Sequence, residues 1–183
     1  MKKIFLLIGC CAFMLACNNQ PDDSKEAAEE TNEAVLQKTD LEDDAEFAVD
    51  AADGGMLEVT LGELAAKNAA SPMVKEFAAM MVTDHSNGNE ELKALAMQKN
   101  ITLPAALSES KQKKVDDLTK LNGAEFDKEY MAFMVEDHKE DIREFEKQAQ
   151  NGNDADLKQW ASNKVAVLQK HLAEAERIKD AIK

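Results

Sequence analysis

Four long stretches of this chain repeat apolar residues every three or four positions, which is the spacing of one face of an α-helix. They run from about 41 to 69, 71 to 99, 123 to 150 and 154 to 182. Only 7 Gly and 3 Pro occur in 183 residues, and aromatic residues make up 5%. Turn-rich β folds need more of these residues, so the pattern predicts an all-α protein.

The residues between the stretches predict how the helices connect. Ser71-Pro72 and Asn151-Gly152-Asn153 mark two short turns, so the helices on either side of each turn are expected to be antiparallel. The connection from 100 to 122 is long, and Ser108 begins a short helix within it. One long crossover between two helix pairs predicts a ferritin-like four-helix bundle over residues 41–183, with a short extra helix in the crossover.

The first 16 residues predict a secretory signal peptide. A basic start is followed by an apolar run that is too short to span a bilayer. Residues 14–17, Met-Leu-Ala-Cys, resemble the lipobox of bacterial lipoproteins, which implies cleavage before Cys17 and lipidation of that residue. Asn18 then favours the outer membrane, facing the periplasm or the cell surface. The alternative is a plain secretory signal with an incidental cysteine.

Residues 17–40 predict a lipidated cysteine followed by an acidic, disordered tether. Residues 18–40 contain seven acidic residues against two lysines and few apolar ones. Such a segment buries too little surface to offset the entropy of ordering. The net charge of −14 disfavours both nucleic acid and anionic lipid head groups as partners. The lipid anchor is therefore the one expected membrane contact. The sequence identifies no protein partner.

Each long helix carries one polar residue on its apolar stripe. On the first helix the stripe is Phe47, Ala51, Gly55, Glu58, Leu61 and Ala65. The other helices carry His85, His138 and His171 in the same way. At 1.5 Å per residue, the four lie roughly 17 to 26 Å from their nearer turn, so they share one level of the bundle. Three imidazoles and a carboxylate satisfy one another through a divalent metal ion, with zinc, iron, manganese and copper as candidates.

Other interpretations of these four residues stay open. One is a metal-free network of buried hydrogen bonds, and another is an error in the assumed helix register. Met81 and Met134 precede His85 and His138 by four positions, which also allows a His/Met site for copper. The carboxylates three positions after His138 and His171 are further ligands, supporting residues or solvated charges. These carboxylates are Asp141 and Glu174.

An internal repeat links the second and third helices. The segment from 76 to 85 matches the segment from 129 to 138, and both end in Asp-His. The two aspartates, Asp84 and Asp137, lie about 100° around the helix from their histidines, so we expect them to face solvent or a neighbouring helix. No Gly-rich phosphate loop, nucleophile elbow or cysteine nucleophile is present, and no catalytic residue is assigned.

Three runs of residues together resemble a known family. They are Gly54-Gly55-Met56-Leu57-Glu58-Val59, the segment from Val74 to His85, and the segment from Leu121 to Tyr130. With His138 and His171 they are similar to the ferritin-like exported bacterial proteins called domain of unknown function 4142, over about residues 43 to 180. The resemblance implies a four-helix bundle outside the cytoplasm and no established activity. It matches Glu58, His85, Tyr130, His138 and His171 to the family's polar positions, with Tyr130 as a candidate supporting residue.

The expected function is therefore that of an exported lipoprotein whose bundle binds a divalent metal ion in the cell envelope, for sequestration or stress protection. A metal-free structural or partner-binding lipoprotein is the alternative. An enzymatic role, such as peroxide or oxygen chemistry at the metal, has less support, because the carboxylates are sparse and the order His-x-x-Asp reverses the Glu-x-x-His pattern of di-iron proteins.

Overall fold

The structure is a computed structural model that describes residues 23–182, and these form six α-helices without a β-strand between them. The helices are α1 Ser24–Leu36, α2 Glu42–Asn68, α3 Pro72–Lys99, α4 Glu109–Thr119, α5 Gly123–Asn151 and α6 Ala155–Ala181. The predicted all-α bundle is confirmed: α2, α3, α5 and α6 are the four long helices, and α4 lies in the crossover. The predicted signal peptide and Cys17 lie outside the described residues.

The two short turns of the bundle are each held by a buried aspartate from a different helix. Asp127 of α5 accepts hydrogen bonds from the backbone N–H groups of Ala70 and Ser71 at 3.1 and 2.8 Å. Asp44 of α2 accepts one from the backbone N–H of Asp154 at 2.7 Å. The start of α5 therefore lies at the α2–α3 turn, and the start of α2 lies at the α5–α6 turn. Helices α2 and α5 consequently run antiparallel, and α3 packs against α6 on the other side.

The N-terminal segment differs from the prediction. A disordered tether is wrong for residues 24–36, which form α1. Asp23 caps this helix, and the buried Asn32 exchanges two hydrogen bonds with the backbone of Thr102, at 2.9 and 2.7 Å. Leu36 is buried in an apolar cluster. The segment is poor in apolar groups by itself, but α2 and the crossover supply the surface and the backbone groups that it needs.

Helix α1 also explains an error in the predicted stripe of α2. Phe47 and Ala51 are only partly buried, whereas Ala45 and Ala48 are fully buried. Because α1 covers a second side of the first half of α2, that half is buried on more than one face. The predicted stripe is correct from Gly55 onward, because Gly55, Glu58, Leu61 and Ala65 are all buried.

The apolar core is divided into two clusters by a polar layer. One cluster surrounds Leu61, Phe77 and Met134, towards the α2–α3 turn. The other surrounds Leu92 and Trp160, towards the α5–α6 turn. None of the six described helices combines the length and the apolar character that a membrane crossing requires.

Candidate metal centre

The polar layer contains the four residues that the sequence singled out, one from each long helix. Glu58, His138 and His171 are 1%, 0% and 2% exposed, and the side chain of His85 is 12% exposed. Leu61, Met81, Met134 and Ala175, which flank the layer on one side, are all fully buried. The structure therefore brings these four side chains together in the middle of the bundle.

The three imidazoles surround a common point. Their ring centroids are 5.8 Å apart for His85 and His138, 5.3 Å for His85 and His171, and 5.4 Å for His138 and His171. One ring nitrogen from each histidine lies within 4.8 Å of those from the other two. Neutral imidazole nitrogens are common ligands of transition-metal ions, so this group is a candidate metal site.

A backbone carbonyl sets the orientation of His138. Its Nδ1 lies 3.0 Å from the carbonyl oxygen of Met134, which accepts only, so Nδ1 carries the proton. Burial lowers the pKa of His138 to about 3, and the nearby His85 and His171 add to this effect. The ring is therefore neutral near pH 7, and its Nε2 lone pair points into the layer.

Carboxylates orient the other two histidines in the same way. Nδ1 of His85 lies 2.6 Å from Oε2 of Glu58, and Nε2 of His171 lies 2.9 Å from Oδ2 of Asp84. Burial is the main cause that lowers the pKa of both histidines. A neutral imidazole that donates to a carboxylate presents its second nitrogen as an acceptor, so both rings also turn a lone pair inward.

This layer holds the unsatisfied polar atoms of the described structure. Buried side-chain atoms that have no hydrogen-bond partner among residues 23–182 are Glu58 Oε1, His85 Nε2, Tyr130 Oη, Asp137 Oδ2, His138 Nε2 and His171 Nδ1. Each such atom costs about 1–3 kcal/mol when nothing compensates it. Their concentration at one place is typical of a group of ligands.

The candidate residues around the ligands occupy different positions. Tyr130 is fully buried and stacks on Phe126 at 5.5 Å, and both burial and the neighbouring Glu58 raise the pKa of its phenol. Met81 and Met134 are buried in the adjacent apolar cluster. Met134 reaches His138 through its backbone carbonyl.

The two carboxylates predicted as further ligands separate from each other in the structure. Asp141 faces a cavity next to the layer, and burial together with the charges of Glu58 and Asp137 raises its pKa well above the usual range. Glu174 instead accepts a hydrogen bond from Nε of Arg177 at 2.8 Å on the surface. Glu174 therefore does not belong to the centre.

Sequence reasoning underestimated the two aspartates that precede histidines. Asp84 faces a neighbouring helix, which was one of its two expected positions. There it forms a hydrogen bond with His171, which the sequence did not predict. Asp137 is 9% exposed, and its carboxylate lies within 4.8 Å of the ligand atoms of Glu58 and His138. The repeated Asp-His pair was the available signal, because a residue 100° from an inward histidine faces the next helix of a bundle.

A comparison with known protein families identifies the chain. A family model described as Domain of unknown function (DUF4142) matches residues 25–178. The chain belongs to this family. The match to DUF4142 confirms the resemblance seen in the sequence and extends it through α1. Searches of the curated proteins and of the solved structures give no match. Membership in DUF4142 assigns no activity, so any function has to be argued from the centre itself.

Proposed function

We propose that this protein binds one divalent metal ion between His85, His138 and His171. Two observations carry the proposal. One ring nitrogen from each of the three histidines lies within 4.8 Å of the others, and each histidine has a buried ring nitrogen without a hydrogen-bond partner in the described chain. Lone pairs repel one another and cannot satisfy one another. A cation at their centre satisfies all three at once.

Glu58 is suited to be the fourth ligand. In tetrahedral sites with metal–nitrogen distances of about 2.0–2.1 Å, neighbouring ligand atoms are about 3.3 Å apart. Oε1 of Glu58 lies 3.4 Å from Nε2 of His138, which agrees with that spacing. Its other oxygen, Oε2, remains available to accept the proton of His85 Nδ1. One carboxylate thus coordinates the ion and orients a second ligand.

The surroundings of the imidazoles support the same proposal. Metal-binding histidines usually donate their second ring N–H to a carboxylate or a backbone carbonyl, which fixes the ring orientation. Here Glu58, Asp84 and the carbonyl of Met134 are positioned for this role, one for each ring. Three nitrogens and one oxygen suit zinc, iron, manganese or copper(II). We propose metal sequestration or stress protection as the role of the bound ion.

Elemental analysis tests this function directly. The full-length protein is purified in detergent, without a histidine tag, and its metal content is measured. We expect one transition-metal ion per chain, lost in His85→Ala and His138→Ala and retained in the surface control Met97→Ala. Circular dichroism checks that the variants fold. Absence of metal in the native protein, together with unchanged stability of both histidine variants, contradicts the proposal and favours a metal-free structural or partner-binding role.

We further propose that Cys17 is lipidated and anchors the bundle to the outer membrane, with the bundle facing the periplasm or the cell surface. The support is the sequence pattern of residues 14–17. Mass spectrometry of the protein from a bacterial envelope tests it. We expect a mature chain that begins with an acylated Cys17, and accumulation of an unprocessed chain in Cys17→Ser. An unmodified cysteine in the native protein contradicts the anchor.

A further inference from the structure

A cavity of about 240 Å³ adjoins the proposed metal site on one side. Glu58, His85 and His171 line one end of it, and Phe145 and Trp160 line the other. An ion bound between the histidines therefore has protein on one side and open space on the other. Catalytic zinc sites keep one position open on such a side and can become five-coordinate. An ion held by Glu58 and the three histidines would take one further ligand from this side as a five-coordinate ion.

Two glycines keep this cavity open at a cost to their helices. A Cβ atom added at Gly54 meets no atom within 4 Å, and one added at Gly88 meets only the side chain of Lys164, at 3.9 Å. Each glycine inside a helix costs about 1 kcal/mol relative to alanine. Gly62 is different, because its Cβ would lie 2.7 Å from Val82 where α2 and α3 pack closely. Close packing thus explains Gly62, whereas Gly54 and Gly88 border free space.

The charges around the cavity select against anions. Four carboxylates line it, and Lys164 is the single basic residue. Lys164 is itself paired with Glu91 at 2.6 Å. The lining carboxylates are Glu58, Asp84, Glu91 and Asp141. A divalent ion balances the charges of Glu58 and Asp84, and Glu91 balances Lys164, so the loaded cavity offers no excess of positive charge to an anion even when Asp141 is protonated. A neutral molecule fits this field better.

The walls and the volume limit the shape of the ligand. At about 240 Å³ the cavity is smaller than the usual ligand pocket of about 300–1,000 Å³, so a ligand has to be small. The rings of Phe145 and Trp160, with centroids 5.4 Å apart, and the side chains of Val167 and Leu168 form its apolar part. Such walls favour a flat apolar body.

We propose that the cavity binds a small, neutral, planar molecule whose nitrogen or oxygen lone pair coordinates the metal ion, while its flat body lies against Trp160 and Phe145. This inference rests on the proposed metal site. Asp84 and Glu58 remain with their histidines, so the incoming donor adds to the ligand set without replacing the contacts that orient the rings.

Cobalt(II) provides the test, because its visible absorption changes with its ligands. The full-length protein in detergent is loaded with Co²⁺ and titrated with benzimidazole as the neutral planar probe and with azide as the anionic one. We expect a saturable spectral change with benzimidazole and at least about tenfold weaker binding of azide. Gly88→Leu fills the cavity. We expect this variant to bind benzimidazole at least about tenfold more weakly and to keep the same Co²⁺ stoichiometry.

Two further variants complete the experiment. Gly54→Leu fills the same space from α2 and replaces Gly88→Leu if the latter does not fold, and Met97→Leu is the surface control. Co²⁺ binding without a spectral response to benzimidazole overturns the cavity ligand and leaves the metal site in place. The cavity ligand is also overturned if Gly88→Leu and Gly54→Leu bind benzimidazole as tightly as the native protein does, or if the native protein binds azide more tightly than benzimidazole. Failure of Co²⁺ to bind overturns both proposals.

Discussion

Two groups of buried polar residues in this bundle differ in how they are satisfied. Asp44, Asp53 and Asp127 accept hydrogen bonds from backbone N–H groups of other segments, and they hold two turns and the start of α4. In the central layer, by contrast, atoms of Glu58 and the three histidines have no partner among residues 23–182. The turn aspartates are complete within the chain, whereas the central layer is not.

This difference affects the energetics of the two groups. A buried carboxylate that accepts backbone hydrogen bonds compensates its own desolvation and fixes the geometry of a turn. A group of lone pairs that face one another is destabilising until a cation joins them. The same fold supplies ready partners to its turns, and the proposed metal ion would supply the missing partner of the central layer.

Of the tests of this comparison, metal binding should change the free energy of unfolding the most. When free Zn²⁺ is about 1,000 times the dissociation constant, the free energy of unfolding should exceed that in a chelator by about 4 kcal/mol. Urea denaturation with both conditions measures the difference. His171→Ala, in the central layer, should lose this gain in stability. Asp127→Asn, which changes one of the turn aspartates, should keep it. An equal increment in His171→Ala would contradict a site that depends on this layer.

The turn aspartates should act on stability alone. Asp127→Ala removes the acceptor for the N–H groups of Ala70 and Ser71, so we expect a loss of about 3 kcal/mol in the free energy of unfolding. The metal content of the variant should be unchanged, because Asp127 lies at the α2–α3 turn, away from the layer. Urea denaturation and elemental analysis measure the two quantities. Loss of the metal in a folded Asp127→Ala protein would contradict the prediction that the turn aspartates affect stability alone.

The metal-free protein should show an acid-sensitive centre. The pKa of His138 is about 3 in the folded chain, below the usual value near 6.5, so between these pH values the unfolded chain binds a proton that the folded chain does not. Stability is therefore present above about pH 6.5 and declines as the pH falls, by up to about 1.4 kcal/mol per unit.

The raised pKa values of Glu58 and Asp141 act in the opposite direction, so the comparison is made with a variant. Relative to His138→Gln, the native protein should lose stability on going from pH 7 to pH 5 in the presence of a chelator. Unfolding curves at each pH provide the measurement. Parallel pH profiles for the two proteins are the result that contradicts this prediction.

The smallest expected effect concerns two glycines of α2. Gly54→Ala should raise the free energy of unfolding by about 1 kcal/mol, because the added methyl group meets free space and alanine favours the helix. Gly62→Ala should lower it by about 1–3 kcal/mol, because its methyl group meets Val82 and the backbone of α3. Thermal and urea denaturation compare the pair. A stabilising Gly62→Ala would show that the α2–α3 contact relaxes easily.

The sequence by itself determined the long helices and the residues on their inward faces. Helical periodicity is a local property, so the stripes that contain Glu58, His85, His138 and His171 could be identified without coordinates. Their similar distance from the turns followed from the rise per residue, which predicted that they meet at one level. Both conclusions depend only on neighbours along the chain.

Only the tertiary structure decided which groups pair across helices. Asn32 binds Thr102, 70 positions away, and this contact orders a segment whose composition predicts disorder. Likewise, Asp84 of α3 pairs with His171 of α6, and Oε2 of Glu58 on α2 pairs with His85 of α3. Such pairings depend on the rotation and separation of packed helices. Periodicity within one helix does not carry that information.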